Sequence, residues 1–429
     1  MKKWQEIYRE RMVTPEEAVQ AIKPGHWVTS GLMECRSLTS ALANRADLVN
    51  VTYFVGESFG GILDLVNSPY AASFRVIAAF LNPFTQQDYQ AGKFEFMPCY
   101  FSTGSKLFLE RIIHCHAAFV QVSPPDDFGY CSLGNSVDYI KDACDYVPLI
   151  IAEVNRHLPR TCGDTLLHVS RFNAIVERDQ EMFSEPPPQV ADIHHTMAGY
   201  LSELVENGST IEAGAGNVVQ CVVSCLTGKR DLGIHSEMFT DALRILMEAG
   251  AADGGCKTIF RHKAVANMAF GSAELYRFIN NNLDVELHPA GVVLQPDVIA
   301  KNHKMTAINT GYQVDLFGQV NAEYRHGVQM TGVGGQTDFN RGAAMSPGGK
   351  AIIAITSTTS KGKSNIVAAL EPGTPVTSTR NDIHYVVTEY GVANLIGRTT
   401  RERARELINV AAPQWREELS AQARQLGLL

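Results

Sequence analysis

Val147-Pro148-Leu149-Ile150-Ile151-Ala152 and Ala351-Ile352-Ile353-Ala354-Ile355 are the runs that decide the fold. Neither alternates apolar with polar residues, so neither reads as a strand with one wet face. Short continuous apolar runs of this kind belong to strands buried on both sides. A sheet covered by helices on both faces, largely parallel, supplies that environment. Helix and strand signals alternate around them. Thr14-Pro15-Glu16-Glu17 predicts a capped helix start, with Pro at the first helical position and Glu at the third. Ala18, Val19, Ala21 and Ile22 follow as an apolar face. Pro24-Gly25 is a turn, and Trp27-Val28-Thr29 a short strand. The expected fold class is therefore α/β, with two tandem open, largely parallel domains.

The division into two rests on Ser184-Glu185-Pro186-Pro187-Pro188-Gln189. A triple proline is extended and ends any helix or sheet. The expected domains are 1–184 and 191–429, joined by a linker over 185–190. The halves resemble each other. Gly25-x5-Gly31 precedes a helical stretch ending at Ala46-Asp47-Leu48, and Gly208-x5-Gly214 precedes one ending at Arg230-Asp231-Leu232. A strand and a glutamate follow each, Glu57 in the first half and Glu237 in the second. This spacing suggests a duplicated β-loop-α-β unit, although any two such units share some likeness. Two related open sheets would make a cleft between the domains a natural place for a ligand.

Composition limits the function. With 429 residues, 45% hydrophobic and 19% charged, the chain has ample material for a packed core and is not disordered. Lys plus Arg is 37 against 45 Asp plus Glu, a net charge of -8. That argues against a nucleic-acid partner, which needs a basic surface. No apolar run approaches the ~20 residues of a membrane-spanning helix. The start Met1-Lys2-Lys3-Trp4 lacks the apolar core of a signal peptide. With nine cysteines and no CxxC pair, a reducing, cytoplasmic setting is expected. Cys221 and Cys225 have helical spacing, and His114-Cys115-His116 forms a cluster. Neither completes a recognisable zinc set, so no metal is expected.

Four segments hold more glycine and polar residue than packing requires. Glu212-Ala213-Gly214-Ala215-Gly216-Asn217 lies between a strand start and the apolar helix from Val218. A glycine loop before a helix presents free N–H groups and could hold a phosphate, a carboxylate or an oxyanion. A dinucleotide fingerprint would want a third glycine where Val219 stands. In His235-Ser236-Glu237-Met238-Phe239 a glutamate ends a strand, which a parallel sheet would bring beside the Gly214 loop. Glu237 could be a nucleophile, a general base or an exposed strand-end charge. Gly332 through Gly342, with four glycines in 11 residues, would let backbone approach a ligand, or is a turn-rich crossover. Ser357-Thr358-Thr359-Ser360-Lys361-Gly362-Lys363-Ser364 lacks the first glycine of a P-loop; it is a phosphate-holding or a solvated loop.

Several longer motifs carry a resemblance. They are Val122 through Gly134, Asn155-Arg156-His157-Leu158-Pro159-Arg160-Thr161, Leu232 through Phe239, Val314 through Glu323, Gly332 through Gly342, and Asn381 through Ala393. Together they resemble the acetyl-CoA hydrolase/transferase family, which includes 4-hydroxybutyrate and butyrate:acetate CoA-transferases. The resemblance covers nearly the whole chain. It implies two open α/β domains and Glu237 as the catalytic nucleophile, with Glu57 not expected in that role. It implies coenzyme A binding by Gly214, Ala215, Gly216, Asn217, Val218, Gly334 and Gly335, with Lys361 in a lysine-bearing loop. The family's chemistry proceeds through a glutamyl-CoA thioester and calls for no tightly bound cofactor. Acyl-CoA and small carboxylates are the partners it implies. Similar proteins are usually dimers or higher oligomers.

The chain departs from the family in three places. The family's GIGAIP loop reads Gly214-Ala215-Gly216-Asn217-Val218-Val219. Thr240-Asp241-Ala242 lacks the usual glycine. Met33-Glu34-Cys35-Arg36 replaces small residues and a Glu-Pro pair. Met33 and Arg36 are therefore candidate substrate residues. Arg36 could clamp a second carboxylate, as in succinate or itaconate, or be a surface arginine. The expected donor is an acetyl-CoA or succinyl-CoA type, and the acceptor a 4-hydroxybutyrate, butyrate or itaconate type. An acyl-CoA hydrolase, a catalytically silent CoA-binding protein and, less well matched, a nucleotide-dependent ligase are the alternatives.

Overall fold

The computed structural model describes residues 3–429. The chain divides into two compact units. The first is Met1–Glu185 with Asn267–Ala269 and Tyr276–Val292; the second holds Pro186–Ala266, Phe270–Leu275 and Val293–Leu429.

The first unit is built on a seven-stranded sheet. Its strands are β1 (Trp27–Ser30), β2 (Val51–Val55), β3 (Phe74–Ala78), β4 (Glu95–Phe96), β5 (Ala117–Val122), β6 (Leu149–Val154) and β7 (Ala174–Glu177). The order across the sheet is β7-β6-β5-β1-β2-β3-β4, and every pairing is parallel. The run at 147–152 forms β6, shifted to start after Pro148, which has no N–H to give a ladder. β2 and β5 are buried along their whole length. Leu38 and Leu42 of the helix Arg36–Ala43 join Tyr53 and Phe119 in the core beneath.

Among the strands of the second unit are β8 (Thr210–Ala213), β9 (Gly233–Phe239), β10 (Met305–Asn309), β11 (Lys350–Ala354), β12 (Tyr385–Thr388) and β13 (Gly391–Asn394). They run β13-β12-β11-β10-β8-β9. All pairs are parallel except the β12–β13 hairpin. β11 is the run at 351–355, and Ala351, Ile352, Ile353 and Ala354 are fully buried.

The two sheets share a topology. In each, the first strand (β1 or β8) is central and the second (β2 or β9) lies on one side. Strands from later in the sequence (β5, β6, β7 or β10, β11, β12) lie on the other. Gly31 after β1 and Gly214 after β8 each abut a polar side chain. A Cβ would come within 2.8 Å of Asp138 Oδ2 and 2.6 Å of Asn309 Oδ1 respectively. The faint likeness between the halves is thus a likeness of fold.

Two details differ from the sequence reading. The helix at Thr14 is capped as expected, Glu17 N–H donating to Thr14 Oγ1 and Thr14 N–H to Glu17 Oε2. It runs only over Pro15–Ala18 before tightening to a 3₁₀ turn at Val19–Ala21, because Pro24-Gly25 leaves no room for another turn. Nor does 191–429 form one unit. Residues 267–269 and 276–292 complete the first. Asn267 Nδ2 donates to the His288 carbonyl, Ala290 N–H to the Asp138 carbonyl, and Gly291 N–H to Ser105 Oγ. Val285–Leu287 also pairs in parallel with Cys162–Gly163.

Among the described residues no helix is long and apolar enough to cross a membrane. None of them forms a group of three or more His, Cys, Asp or Glu side chains suited to a metal ion. His116 ties the starts of β5 and β1 together, its Nδ1 accepting from Trp27 N–H at 3.0 Å, and its ring stacks on His26 at 4.5 Å. The Cys115 thiol donates to the Trp27 carbonyl. Cys221 lies in the helix Asn217–Ser224 and Cys225 follows at its end. The Cys221 thiol donates to the Gln189 carbonyl, and Cys225 Sγ lies 3.6 Å from His195 Nδ1.

Candidate active site

Parallel strands end together, and the second unit uses this. Gly214 follows β8, and the neighbouring β9 carries Glu237 near its carboxyl end. Thr210 pairs with Gly233 and Ile211 with Ile234, and Ala213 N–H donates to Ser236 Oγ at 3.3 Å. Glu237 is the next residue. Ser236 is fully buried, while Glu237 and Met238 are half-buried. A carboxylate in this position is held by the sheet and is only partly buried.

The Gly332–Gly335 loop meets it there. Gly335 N–H donates to Glu237 Oε2 at 2.9 Å. Gly335 is the N-cap of the helix Gln336–Met345, so the carboxylate lies where free N–H groups and the helix dipole favour negative charge. A Cβ on Gly335 would fall 2.6 Å from Leu294 Cδ2 and 2.7 Å from Glu237 Oε2, so only glycine allows the approach. Gly334 is in the left-handed region at φ +58°, which glycine adopts without strain. The helix start is anchored behind: Thr337 Oγ1 donates to the Thr377 carbonyl and Asn340 Nδ2 to Ser378 Oγ.

The Gly214–Val218 loop is tied down separately. Gly214 N–H donates to the Ile308 carbonyl, and Gln220 Nε2 donates to the Gly214 carbonyl at 2.6 Å. Cβ atoms at 214 and 216 would clash with Asn309 and Thr310. Asn217 and Val218 open the helix Asn217–Ser224, with Gly216 as N-cap. Ala215 lies between the two glycines.

Glu212 had no assigned role in the sequence reading and proves central. It is 1% exposed. Its Oε2 accepts from Asn309 Nδ2 at 2.9 Å and from Ile308 N–H at 3.1 Å. Burial, and next the neighbouring charge of Glu237, hold its carboxyl well above the usual range. Its position two residues before Gly214 was the signal available, but no spacing rule says that it turns inward. His235 lies below, fully buried, with Nε2 2.9 Å from the Val293 carbonyl and its ring between Phe260 and Phe339.

Lys361 sits in an exposed turn closed by the Thr359 and Lys363 backbones and pinned by Trp415 Nε1 to the Gly362 carbonyl. The loop root is held by Glu389, which accepts from Ser357 N–H and Ser357 Oγ. The structure thus brings Glu237, Gly335 and Glu212 together and links Glu212 through Asn309 to Gly214. Lys361 has no hydrogen bond to any of them.

Met33 and Arg36 lie in the first unit. Met33 is half-buried; Arg36 is exposed, donates through Nη2 to the Phe59 carbonyl at 2.8 Å, and faces the charges of Glu34 and Asp64. Glu57 follows β2 as Glu237 ends β9, but its partner is a side chain: Asn82 Nδ2 donates to Glu57 Oε1 at 2.9 Å. Burial, reinforced by Glu34 and Glu185, pushes its carboxyl up to about 7. Glu34 accepts from Ser58 Oγ and Gly61 N–H, and burial raises its carboxyl too.

Sequence profiles of the family match both parts of the chain. The acetyl-CoA hydrolase/transferase N-terminal domain matches residues 1–184, and its C-terminal domain residues 271–423. The chain belongs to the acetyl-CoA hydrolase/transferase family. Among the relatives of this family member is a 4-hydroxybutyrate coenzyme A transferase of Clostridium kluyveri, 41% identical over 427 residues, covering 97% of this chain and 98% of that one. Another is a succinyl-CoA:cyclohexane-1-carboxylate CoA transferase of Geobacter metallireducens, 36% identical, covering 99% and 97%. RipA from Yersinia pestis is similar in structure, with a TM-score of 0.92 and 31% identity over 100% of both chains. The family match and the fold agree: the α/β architecture with mostly parallel sheets is the family's.

Proposed function

We propose that this protein is a CoA-transferase that moves coenzyme A from an acyl-CoA, of acetyl-CoA or succinyl-CoA type, to a small carboxylic acid through Glu237. The observation that carries the reading is the hydrogen bond from Gly335 N–H to the half-open Glu237 carboxylate at a helix N-terminus. A glycine-lined approach, an anion-favouring helix end and a reachable carboxylate suit nucleophilic attack on an acyl group.

The chemistry follows in four exchanges. Glu237 attacks the thioester carbonyl, the C–S bond breaks, and the CoA thiolate leaves an acyl-glutamyl anhydride. The thiolate then attacks the Glu237 carbonyl and expels the first carboxylate, leaving a glutamyl-CoA thioester. The acceptor carboxylate attacks that thioester and frees the thiolate. The thiolate finally attacks the acceptor's carbonyl, giving the new acyl-CoA and restoring Glu237. No electrons are transferred. Ala215, Gly216, Asn217, Val218 and Gly334 offer N–H groups to coenzyme A and to the tetrahedral oxyanions, while Gly214, bonded to the Ile308 carbonyl, and Gly335, bonded to Glu237, let the ligand approach closely. Lys361 offers a positive charge to phosphate.

The acceptor is of 4-hydroxybutyrate, butyrate or itaconate type, with Met33 and Arg36 as candidate substrate residues. For Arg36 to clamp a second carboxylate, it must exchange the Phe59 carbonyl for the ligand. The protein works in the cytoplasm as a homo-oligomer. Hydrolysis is the second reading, favoured by a Saccharomyces cerevisiae acetyl-CoA hydrolase that is 27% identical over 273 residues, 58% of this chain and 49% of that one. Water reaching either intermediate would make a hydrolase of the same nucleophile.

Intact mass after brief incubation with acetyl-CoA or succinyl-CoA, without acceptor, tests the proposal. A coenzyme A adduct mapped to the Glu237 peptide and lost on adding an acceptor acid is expected. Free coenzyme A accumulating with no adduct would favour the hydrolase. Neither product would sink both readings for those donors.

A further inference from the structure

We infer that Glu212 is a positioning residue that works as a neutral acid: it fixes Asn309 and the Gly214 loop and leaves Glu237 as the one negative charge of the pair. The inference rests on Glu237 being the nucleophile. It goes beyond that reading by assigning a task to a residue that touches no reacting atom.

The geometry comes first. Glu212 is buried at the centre of the sheet, and both hydrogen bonds from β10 converge on one oxygen, Oε2. Oε2 takes both N–H donors, which leaves Oε1 to carry the proton of a neutral acid. The bond to Nδ2 fixes which way the Asn309 amide faces and turns its Oδ1 toward Gly214, where a Cβ would lie 2.6 Å away. The loop proposed to hold coenzyme A thus rests on an amide whose orientation Glu212 sets.

Charge points the same way. Strands β9 and β10 and the helix Asn217–Ser224 pack around Glu212. β9 contributes Glu237 and His235, whose Nε2 faces the Val293 carbonyl; β10 and the helix contribute no Asp, Glu, Lys, Arg or His. Among the described residues Glu237 is the charged group that acts on Glu212, and its sign is the same. Where two carboxylates share a site, ionisation of one of them is strongly disfavoured, and the buried member is the one that keeps the proton. Glu237 has the backbone N–H and the helix end; Glu212 is fully buried, and no cation is among the groups that act on it. The proton therefore stays on Glu212, and burial acts in the same direction.

The test has two readouts. Without any substrate, the infrared difference between wild type and Glu212→Gln at neutral pH should show the carbonyl stretch of a protonated carboxyl lost in the variant. No such band would overturn the inference. With acyl-CoA and acceptor, Glu212→Ala should lose about 10²-fold in transfer, the scale expected for a reacting group displaced by about 1 Å. Glu212→Gln keeps the two accepted hydrogen bonds and a neutral donor, and should stay within the same order of magnitude as wild type. A Gln variant as impaired as the Ala variant would overturn the assignment. A wild type that forms no adduct at Glu237 would instead strike the transferase reading, and the infrared band would still decide the protonation of Glu212.

Discussion

Glu237 and Glu57 occupy matching places in two sheets of the same topology, yet their surroundings ask different things of them. Glu237 meets a backbone N–H at a helix end; Glu57 meets the Asn82 amide and the charge of Glu34. Glu237→Ala should abolish transfer while coenzyme A binding persists, measured by steady-state assay and by titration calorimetry. Glu237→Asp retracts the carboxylate by one methylene and should lose about 10²-fold or more. For Glu57 the consequence is in stability. Its carboxyl titrates near 7 in the folded chain against an ordinary value of 4.5. Between those values the folded state holds a proton that the unfolded state has released, so this group lowers stability as pH rises through the window. Glu57→Gln should leave the melting temperature near wild type at the acid end and raise it above pH 7, by up to ~3 kcal/mol in stability. A melting-temperature difference between variant and wild type that is flat with pH would contradict this.

At the scale of elements, the glycines that matter are those where a strand or helix end meets another group. Gly335→Ala is compatible with its backbone at φ -96°, so its cost lies in the collision with Leu294 and Glu237. The variant should fold and lose transfer by about 10²-fold through displacement of Glu237, the proposed nucleophile. Retained activity with an ordinary adduct rate would show that the Glu237–Gly335 contact is dispensable. Caps are a milder lever. Thr14→Ala removes one side of the capping box at Thr14 and Glu17 and should cost about 1 kcal/mol in a urea midpoint, with transfer unchanged. That box was legible from four residues of sequence, because capping is a local exchange of hydrogen bonds. The length of the helix it starts was not, because the stop at Pro24-Gly25 and the strand that follows set the room available.

For the whole molecule, the triple proline marks where the first unit ends, at Glu185. It does not mark a clean partition. Residues 267–269 and 276–292 return to complete the first unit, with Val285–Leu287 paired to Cys162–Gly163. Cleavage at a protease site introduced into the exposed 185–187 segment should therefore give two fragments that migrate together on gel filtration and separate only in denaturant. A 1–185 chain expressed alone should be much less stable than the nicked protein, since the groups that meet Asp138, Ser105 and Cys162 would be missing. Fragments that separate without denaturant would show that those returning segments contribute little.

The α/β class, the runs that became β6 and β11, the Thr14 cap and the two glycine loops were all readable from residue types alone. Glu237 was singled out as the candidate nucleophile once the longer motifs pointed to a family. Each depends on short-range rules: burial pattern, capping geometry, and the turn chemistry of glycine and proline. Sequence alone did not reveal that Gly335 delivers its N–H to Glu237, since the two lie far apart in the chain. Nor did it reveal that Glu212 turns inward beside Glu237, or that Arg36 spends a donor on the Phe59 carbonyl. Those facts belong to the tertiary structure, because a side chain's charge state and partner depend on what other strands bring within a few ångströms of it.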